Sequence, residues 1–154
     1  MNELISDLRF HIPTLEIQRG WKASSKNSGQ YHFHALNPIQ GTFTNLASHE
    51  LDVAFLLQNF NEFLAVQSCM VARDMSDKWI RFINGESWCE GGKVVVIEKN
   101  GVLSVDEDKY DMEYRGGRVS VLQEIDADKL WKLAEEWQGV RSERSQENGV
   151  KNKL

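Results

Sequence analysis

Two histidines one residue apart, His32 and His34, are the clearest candidates for metal ligands in this sequence. Alternate side chains of a strand share a face, so both imidazoles would lie on one side, roughly 7 Å apart along the backbone. A carboxylate, His11 or His49 would have to complete the ligand shell of a metal ion. The polar side of an edge strand explains the same pair without a metal. We therefore expect no metal and no cofactor, and we keep a small metal- or ligand-binding enzyme that uses His32 and His34 as the alternative function.

The densest charge lies in segment 106–113 (DEDKYDME), which holds five acids and one base. It lacks the Asp-x-Asp-x-Asp-Gly spacing of an EF-hand, so it does not predict a calcium site. A solvated loop explains such a run without any function. The other interpretation is an anionic surface that recognises a partner through aromatic side chains surrounded by carboxylates. Trp88 is included in this surface because its loop is predicted to be exposed. On this interpretation the partner-binding residues are Asp106, Glu107, Asp108, Tyr110, Asp111, Glu113 and Trp88.

The sequence contains no recognisable catalytic motif. Cys69 and Cys89 form no Cys-x-x-Cys pair, and the acids near Cys89 would make its thiol less reactive. The two Gly-Gly pairs, at 91–92 and 116–117, lack the lysine of a phosphate-binding loop, and no Gly-x-Ser-x-Gly occurs. We therefore predict no catalytic residues and a protein that is not an enzyme.

The charge distribution indicates what kind of partner to expect. The net charge is -5, and residues 86–138 hold thirteen acids against seven bases. This excess disfavours nucleic acid and favours a basic protein as the partner. The N-terminus lacks the basic start and apolar core of a signal peptide, and polar residues interrupt the apolar run 51–72 too often for a membrane span. The sequence thus predicts a cytoplasmic protein that binds no membrane.

The first third of the chain predicts short elements. Asn2–Phe10 has the spacing of a helix that ends before Pro13, and Thr14–Gln18 alternates weakly, as a strand does. Residues 21–30 form a polar loop. Tyr31–Ala35 alternates cleanly and predicts a strand with both histidines on its polar face.

The apolar run 51–72 predicts the long central helix of the fold. Ser48 is the expected N-cap, and residues 49–65 are amphipathic at the helical period. The period breaks after Val66; we favour continuation of the helix to about Arg73, with a strand over 66–72 as the alternative. Residues 77–83 fit a helix or a strand equally. The predicted buried face of the central helix consists of Val53, Leu56, Leu57, Phe60, Phe63 and Leu64.

Two consecutive β-hairpins are predicted next. The strands Lys93–Glu98 and Val102–Asp106 flank an Asn-Gly pair, which suits the positive φ values of a type I′ turn. The strands Tyr110–Arg115 and Arg118–Glu124 flank a Gly-Gly pair. Together they predict a four-strand antiparallel meander.

A helix over Ala127–Gln138, capped by Asp126, is predicted to close the folded part of the chain. The sequence therefore predicts a single α+β domain over residues 1–138, in which an antiparallel sheet with two consecutive hairpins packs against a long central helix and a C-terminal helix. Residues 139–154 are polar and predict a disordered tail. The buried side of the last helix is predicted to carry Leu130, Ala134 and Trp137.

In general character the chain resembles the small acidic immunity proteins that accompany bacterial contact-dependent inhibition or polymorphic toxins. The shared features are size, the lack of a secretion signal, one compact α+β domain, no catalytic motif and a local acidic surface around segment 106–113. The resemblance implies a cytoplasmic, non-catalytic binding protein that neutralises a cognate toxin, in many such systems a nuclease. The expected partner is then a basic toxin domain.

Overall fold

The computed structural model describes residues 2–24, 27–46, 50–126, 128–137 and 139. The chain forms two compact units. We call Met1–Gly20 with Asp111–Leu154 the helical unit, and Trp21–Tyr110 the sheet unit. The predicted tail, apart from residue 139, lies outside the described residues, as do Ser48 and His49. The α+β class predicted from the sequence is confirmed.

The N-terminal helices continue through Pro13, so the predicted strand over residues 14–18 is wrong. Helix α1 spans Asn2–Ser6, a π-helical turn spans Asp7–His11, and helix α2 spans Ile12–Ala23. In the π turn the Ile12 amide donates to the carbonyl of Asp7, five residues back. This wider spacing accommodates a proline, which lacks an N–H and clashes with the carbonyl four residues before it in a regular helix.

The predicted second hairpin is also wrong, because both of its strands are helical. Helix α5 spans Glu107–Arg115 and helix α6 spans Arg118–Gln123. Acids occupy the first turn of α5 and Arg115 its last turn, which matches the helix dipole. Gly116 and Gly117 have φ values of 61° and 73°, so the Gly-Gly pair ends a helix instead of turning a hairpin.

The last helix, α7, covers residues 128–137, which confirms the predicted C-terminal helix within the described residues. Asp126 Oδ1 accepts a hydrogen bond from the Lys129 amide at 3.1 Å and thereby caps it. Trp137 is 38% exposed, so its predicted burial is wrong. The core of the helical unit consists of Leu8, Ile12, Leu15, Val119, Leu122, Leu130 and Ala134.

The sheet unit contains a three-stranded mixed sheet in the order β1-β2-β3. The strands are Tyr31–Phe33, Lys93–Glu98 and Gly101–Asp106. Strands β2 and β3 form the predicted first hairpin, in the register Lys93↔Asp106. The type I′ turn is wrong, because Gly101 already belongs to β3 and neither loop residue has a positive φ. β1 runs parallel to β2, since helices connect the two strands, so the sheet is not wholly antiparallel.

The predicted long central helix is two helices. Helix α3 spans Leu51–Leu57, a 3₁₀ turn spans Asn61–Phe63, and helix α4 spans Val66–Ile83. Segments 66–72 and 77–83, for which the sequence allowed either a helix or a strand, both lie in helix α4. Gln58 ends α3 in the left-handed conformation, at φ 55°. Among the described residues, every helix is too short or too polar to cross a lipid bilayer.

Candidate functional site: an apolar segment and an acidic turn

The sheet unit buries only part of its apolar surface. Helix α3 turns Leu51 and Phe55 into a core formed with α4 and the sheet, where Val71, Ala72 and Met75 lie buried. A seven-residue helix presents about two turns, so its opposite side faces away from this core. The residues on this opposite side of α3 belong to the candidate site.

Residues 53–70, which we call the apolar segment, carry large side chains that point into solvent. Val66 is 80% exposed and Phe63 is 63% exposed. Only Leu56 and Leu64 of the predicted buried face pack, partly buried, against the core. The prediction that Val53, Leu57, Phe60 and Phe63 form the buried face is therefore wrong. The break at Gln58 explains Phe60 and Phe63, since a continuous rotation of 100° per residue no longer applies after it. Val53 and Leu57 precede the break and lie on the side of α3 opposite the buried Leu51 and Phe55. The exposed members are Val53, Leu57, Phe60, Phe63, Val66 and Met70.

A groove of about 350 Å³ lies at one end of the apolar segment. This volume is at the lower end of the range for ligand pockets and suits an amino-acid side chain and its neighbour. Glu50 contributes an exposed carboxylate to the otherwise apolar and amide-lined walls, and its φ of 60° places it in the left-handed region. The groove can therefore hold an apolar side chain beside a positive charge. Its lining is Asn37, Ile39, Glu50, Leu51, Val53, Ala54, Asn59 and Phe60.

Three of the predicted acids lie together where β3 meets α5, and we call Asp106, Glu107 and Asp108 the acidic turn. Glu107 pairs with Lys22 at 3.1 Å. Asp106 and Asp108 are exposed and have no ion pair within the described part of the chain. The positions of Glu107 and Asp108 have a structural explanation, because both lie in the first turn of α5, where the helix dipole stabilises acids. Two exposed carboxylates remain available to a cationic partner.

Two of the predicted partner-binding residues in the sheet unit are buried. Trp88, predicted to be exposed, is only 5% exposed and packs in the core. Tyr110 is 2% exposed, and its ring stacks on His32 with centroids 4.0 Å apart. The prediction that these two side chains are aromatic anchors for a partner is corrected accordingly, because neither ring reaches the surface.

The other two predicted residues, Asp111 and Glu113, lie in the helical unit. Glu113 is exposed, as predicted for a partner-binding residue. Asp111 is buried instead and holds the start of α6: its carboxylate accepts bonds from the Val119 amide and from the amide and hydroxyl of Ser120, at 2.6–3.0 Å. Burial by itself raises the pKa of Asp111, but the bonds from Ser120 and Val119 outweigh it and hold that pKa below its ordinary value.

The histidine pair lies on the face of the sheet that Tyr110 covers. His34 Nε2 and the Tyr110 hydroxyl are 2.9 Å apart, and the two imidazole centroids are 6.4 Å apart. His32 is only 8% exposed, so it does not belong to a solvated polar face. The described residues contain no group of three metal-ligating side chains. The stacking and the hydrogen bond give both imidazoles a packing role against Tyr110.

The apolar segment was missed because its residues were assigned to the core. A signal was present: two asparagines, Asn59 and Asn61, closely follow Leu57, and asparagine favours turns. Gly29 is a second such residue, because a Cβ at this position would overlap Trp88. No local pattern signals that contact, since the two residues are distant in the chain.

No known protein family matches the chain, and no significant similarity is found to any curated protein or solved structure.

Proposed function

We propose that this chain is a non-catalytic binding protein that neutralises a basic protein partner by covering it. The observation that carries the proposal is the apolar segment, in which six large apolar side chains are 45–80% exposed within eighteen residues. Exposed apolar surface of this density is typical of protein-binding sites, and aromatic residues are common among the anchors of such sites. Phe60 and Phe63 are the anchors that we assign here.

The charge of the chain supports a basic partner. Glu50 lines the groove beside the apolar segment, and the acidic turn adds two exposed carboxylates in the same unit. Opposite charge around an apolar centre speeds association and fixes orientation. A toxin domain with a basic active site has this chemistry, in line with the immunity-protein resemblance.

One interface is wide enough to include both features. Gln67 Nε2 donates to the Asn100 carbonyl at 2.9 Å, which ties the start of α4 to the turn between β2 and β3. Asp106 lies at the far end of β3, roughly 17 Å away along the strand. A stable interface buries about 800 Å² on each partner, which spans more than this distance.

The test measures association of the purified chain with the basic protein that affinity capture from its native cell returns at equal stoichiometry. Phe63→Asp should weaken the affinity at least about tenfold, mainly through faster dissociation. Phe43→Asp is the matched control, because Phe43 is 66% exposed in the same unit but lies outside the apolar segment.

Charge reversal of Asp106 and Asp108 to lysine should slow association and reduce its dependence on salt. Asp74→Lys is the matched control, since Asp74 is an exposed acid on α4. Capture that returns no basic partner, or kinetics that neither Phe63→Asp nor the double charge reversal alters, would contradict the proposal.

A further inference from the structure

Strand β3 forms an open edge of the three-stranded sheet. The order β1-β2-β3 leaves one side of β3 without a neighbouring strand. Leu103 is 44% exposed, and Ser104 and Asp106 are exposed as well. The strand has an unbroken register with β2, without a bulge, and it contains neither lysine nor proline. Soluble proteins use these features to keep a strand edge from pairing with another chain, so the edge of β3 is open to a further strand.

The hydrogen bonds of β2 identify the backbone groups that face outward from β3. Val95 and Ile97 form backbone hydrogen bonds with residues that flank β1, at 3.0 and 2.8 Å. The alternate residues of β2 therefore bond with β3, where they lie opposite its odd-numbered residues. The amides and carbonyls of Val102 and Ser104 then point away from the sheet, and no protein group bonds with them within the described part of the chain. These groups can pair with the backbone of an added strand.

The two ends of β3 carry opposite charges. Lys99 is exposed in the turn that precedes the strand, and Asp106 begins the acidic turn at its other end. Neither side chain forms an ion pair with any described residue. Antiparallel pairing of two such strands brings the start of each beside the end of the other. A second copy of this chain therefore places a lysine beside each acidic turn.

One register matches both the outward backbone groups and the central side chains. If Leu103 lies opposite Leu103 of the second copy, then Val102 lies opposite Ser104 of the second copy and exchanges two hydrogen bonds with it. The two Leu103 side chains meet at a non-hydrogen-bonded position, with Cβ atoms roughly 4.5–5.5 Å apart. In the same register Asp106 lies opposite Asn100 of the second copy, beside Lys99.

The net charge of the chain opposes this pairing only weakly. Each copy carries a net charge of -5. The two Asp106 residues are separated by the length of the paired strands, roughly 20 Å. Physiological salt screens charges over about 8 Å, so the acidic turns repel each other little, whereas Lys99 lies close to the acidic turn of the other copy.

We propose that two copies of this chain pair through their β3 edges and form a symmetric dimer. The two-fold axis passes between the Leu103 side chains, and the two sheets join into one continuous sheet. One strand from each chain covers less than the roughly 800 Å² of a standard interface, so we expect a dissociation constant on the order of 10–100 µM. The dimer covers the acidic turn, and the basic partner of the proposed function would therefore compete with it.

Sedimentation equilibrium of the full chain from about 5 µM to 1 mM measures the dimer directly. The average mass should rise from that of one chain toward that of two. Ser104→Pro should raise the dissociation constant at least about tenfold, because proline removes the outward N–H from both copies but none that bonds with β2. Ser104→Ala keeps this N–H and is the matched control. The mass of one chain at every concentration, or equal dissociation constants for the two variants, would overturn the proposal.

Charge reversal at Lys99 tests the ends of the paired strands. Lys99→Glu should raise the dissociation constant about three- to tenfold, because it replaces two attractive contacts with two repulsive ones. Arg73→Glu is the matched control, since it changes the net charge equally at an exposed base on α4. Equal effects of the two variants would show that net charge alone acts, which contradicts the pairing.

Disulfide trapping tests the two-fold axis without the proline variant. In a chain with Cys69→Ala and Cys89→Ala, Leu103→Cys should form an intermolecular disulfide much faster than Leu57→Cys, because opposed residues of an antiparallel pair lie within disulfide distance. Leu57 is the control because it is 60% exposed on α3, in the same unit. Equal rates of disulfide formation would contradict the axis at Leu103.

Phe63→Asp separates this dimer from the proposed partner surface. Phe63 lies outside β3, so the variant should leave the dissociation constant of the dimer unchanged. A dimer that Phe63→Asp abolishes and Ser104→Pro leaves intact would assign self-association to the apolar segment and overturn the pairing of β3. A chain that stays monomeric still leaves the apolar segment available to a basic partner.

Discussion

Gly29→Ala is the substitution whose consequence follows most directly from the packing of the sheet unit. A Cβ at position 29 would overlap the Cβ, Cγ and Cδ1 of Trp88. Trp88 is 5% exposed, and its indole nitrogen is bonded to the Gln30 carbonyl. The indole therefore cannot move aside without losing burial, that hydrogen bond or both.

The magnitude can be bracketed from the burial of Trp88. If the indole shifts locally, overpacking costs about 1–3 kcal/mol. If the indole is ejected, about 150–250 Å² returns to water at roughly 25 cal/mol per Å², which corresponds to about 4–6 kcal/mol. We expect the free energy of unfolding of the sheet unit to fall by about 3 kcal/mol.

Urea unfolding followed by circular dichroism measures this loss. Gly91→Ala is the matched control, because its Cβ would meet nothing within 4 Å and it lies in the same unit. The control should change the free energy of unfolding by less than about 1 kcal/mol in either direction. If both variants unfold at the same urea concentration as the unmodified chain, Trp88 does not pack on Gly29 as described.

Three further predictions concern titratable groups. Asp111→Asn should cost about 1–3 kcal/mol near neutral pH in urea unfolding, because its carboxylate accepts three hydrogen bonds, whereas exposed Asp108→Asn should cost less than about 0.5. Because the pKa of Asp111 is lowered in the folded chain, its carboxylate stabilises the fold at pH values above the ordinary pKa of 3.8, and this stabilisation is lost as the pH falls through the folded-state pKa. If Asp111→Asn cost as much free energy of unfolding in strong acid as at neutral pH, the role of the carboxylate would be contradicted. Burial, and next the charge of Arg115, lower the pKa of His11 below 6.5, so the unfolded chain binds a proton first and stability falls as pH drops from about 7. His11→Gln should flatten that slope, and an unchanged slope would refute the assignment. Burial raises the pKa of the Cys89 thiol, so iodoacetamide should alkylate it more slowly in the folded chain than in urea, and equal rates would exclude this protection.

Local patterns predicted the elements whose signals are short-range. The β-branched run of β2, its turn and β3 fall within fourteen residues, so a local pattern predicts the hairpin. Helix α7 has an N-cap and an apolar stripe, which predict it in the same way. The segment after β3 was assigned wrongly because Gly116-Gly117 suits a hairpin turn and a helix end equally. Parallel pairing of β1 with β2 depends on residues more than sixty positions apart, which no local pattern records.

The candidate site was predicted only in part, because burial decides which residues can bind. Asp106, Asp108 and Glu113 are exposed as predicted, whereas Trp88, Tyr110 and Asp111 turn inward.

Local sequence patterns specify the α+β class, the first hairpin, the C-terminal helix and the acidic bias of residues 86–138. These depend on composition and on periods of two or 3.6 residues, which a single segment contains. The folded chain alone reveals that the apolar face predicted for one long helix is divided at Gln58 and largely left in solvent. The reason is that amphipathic spacing shows which residues share a face, whereas the packing of distant segments decides whether that face is covered.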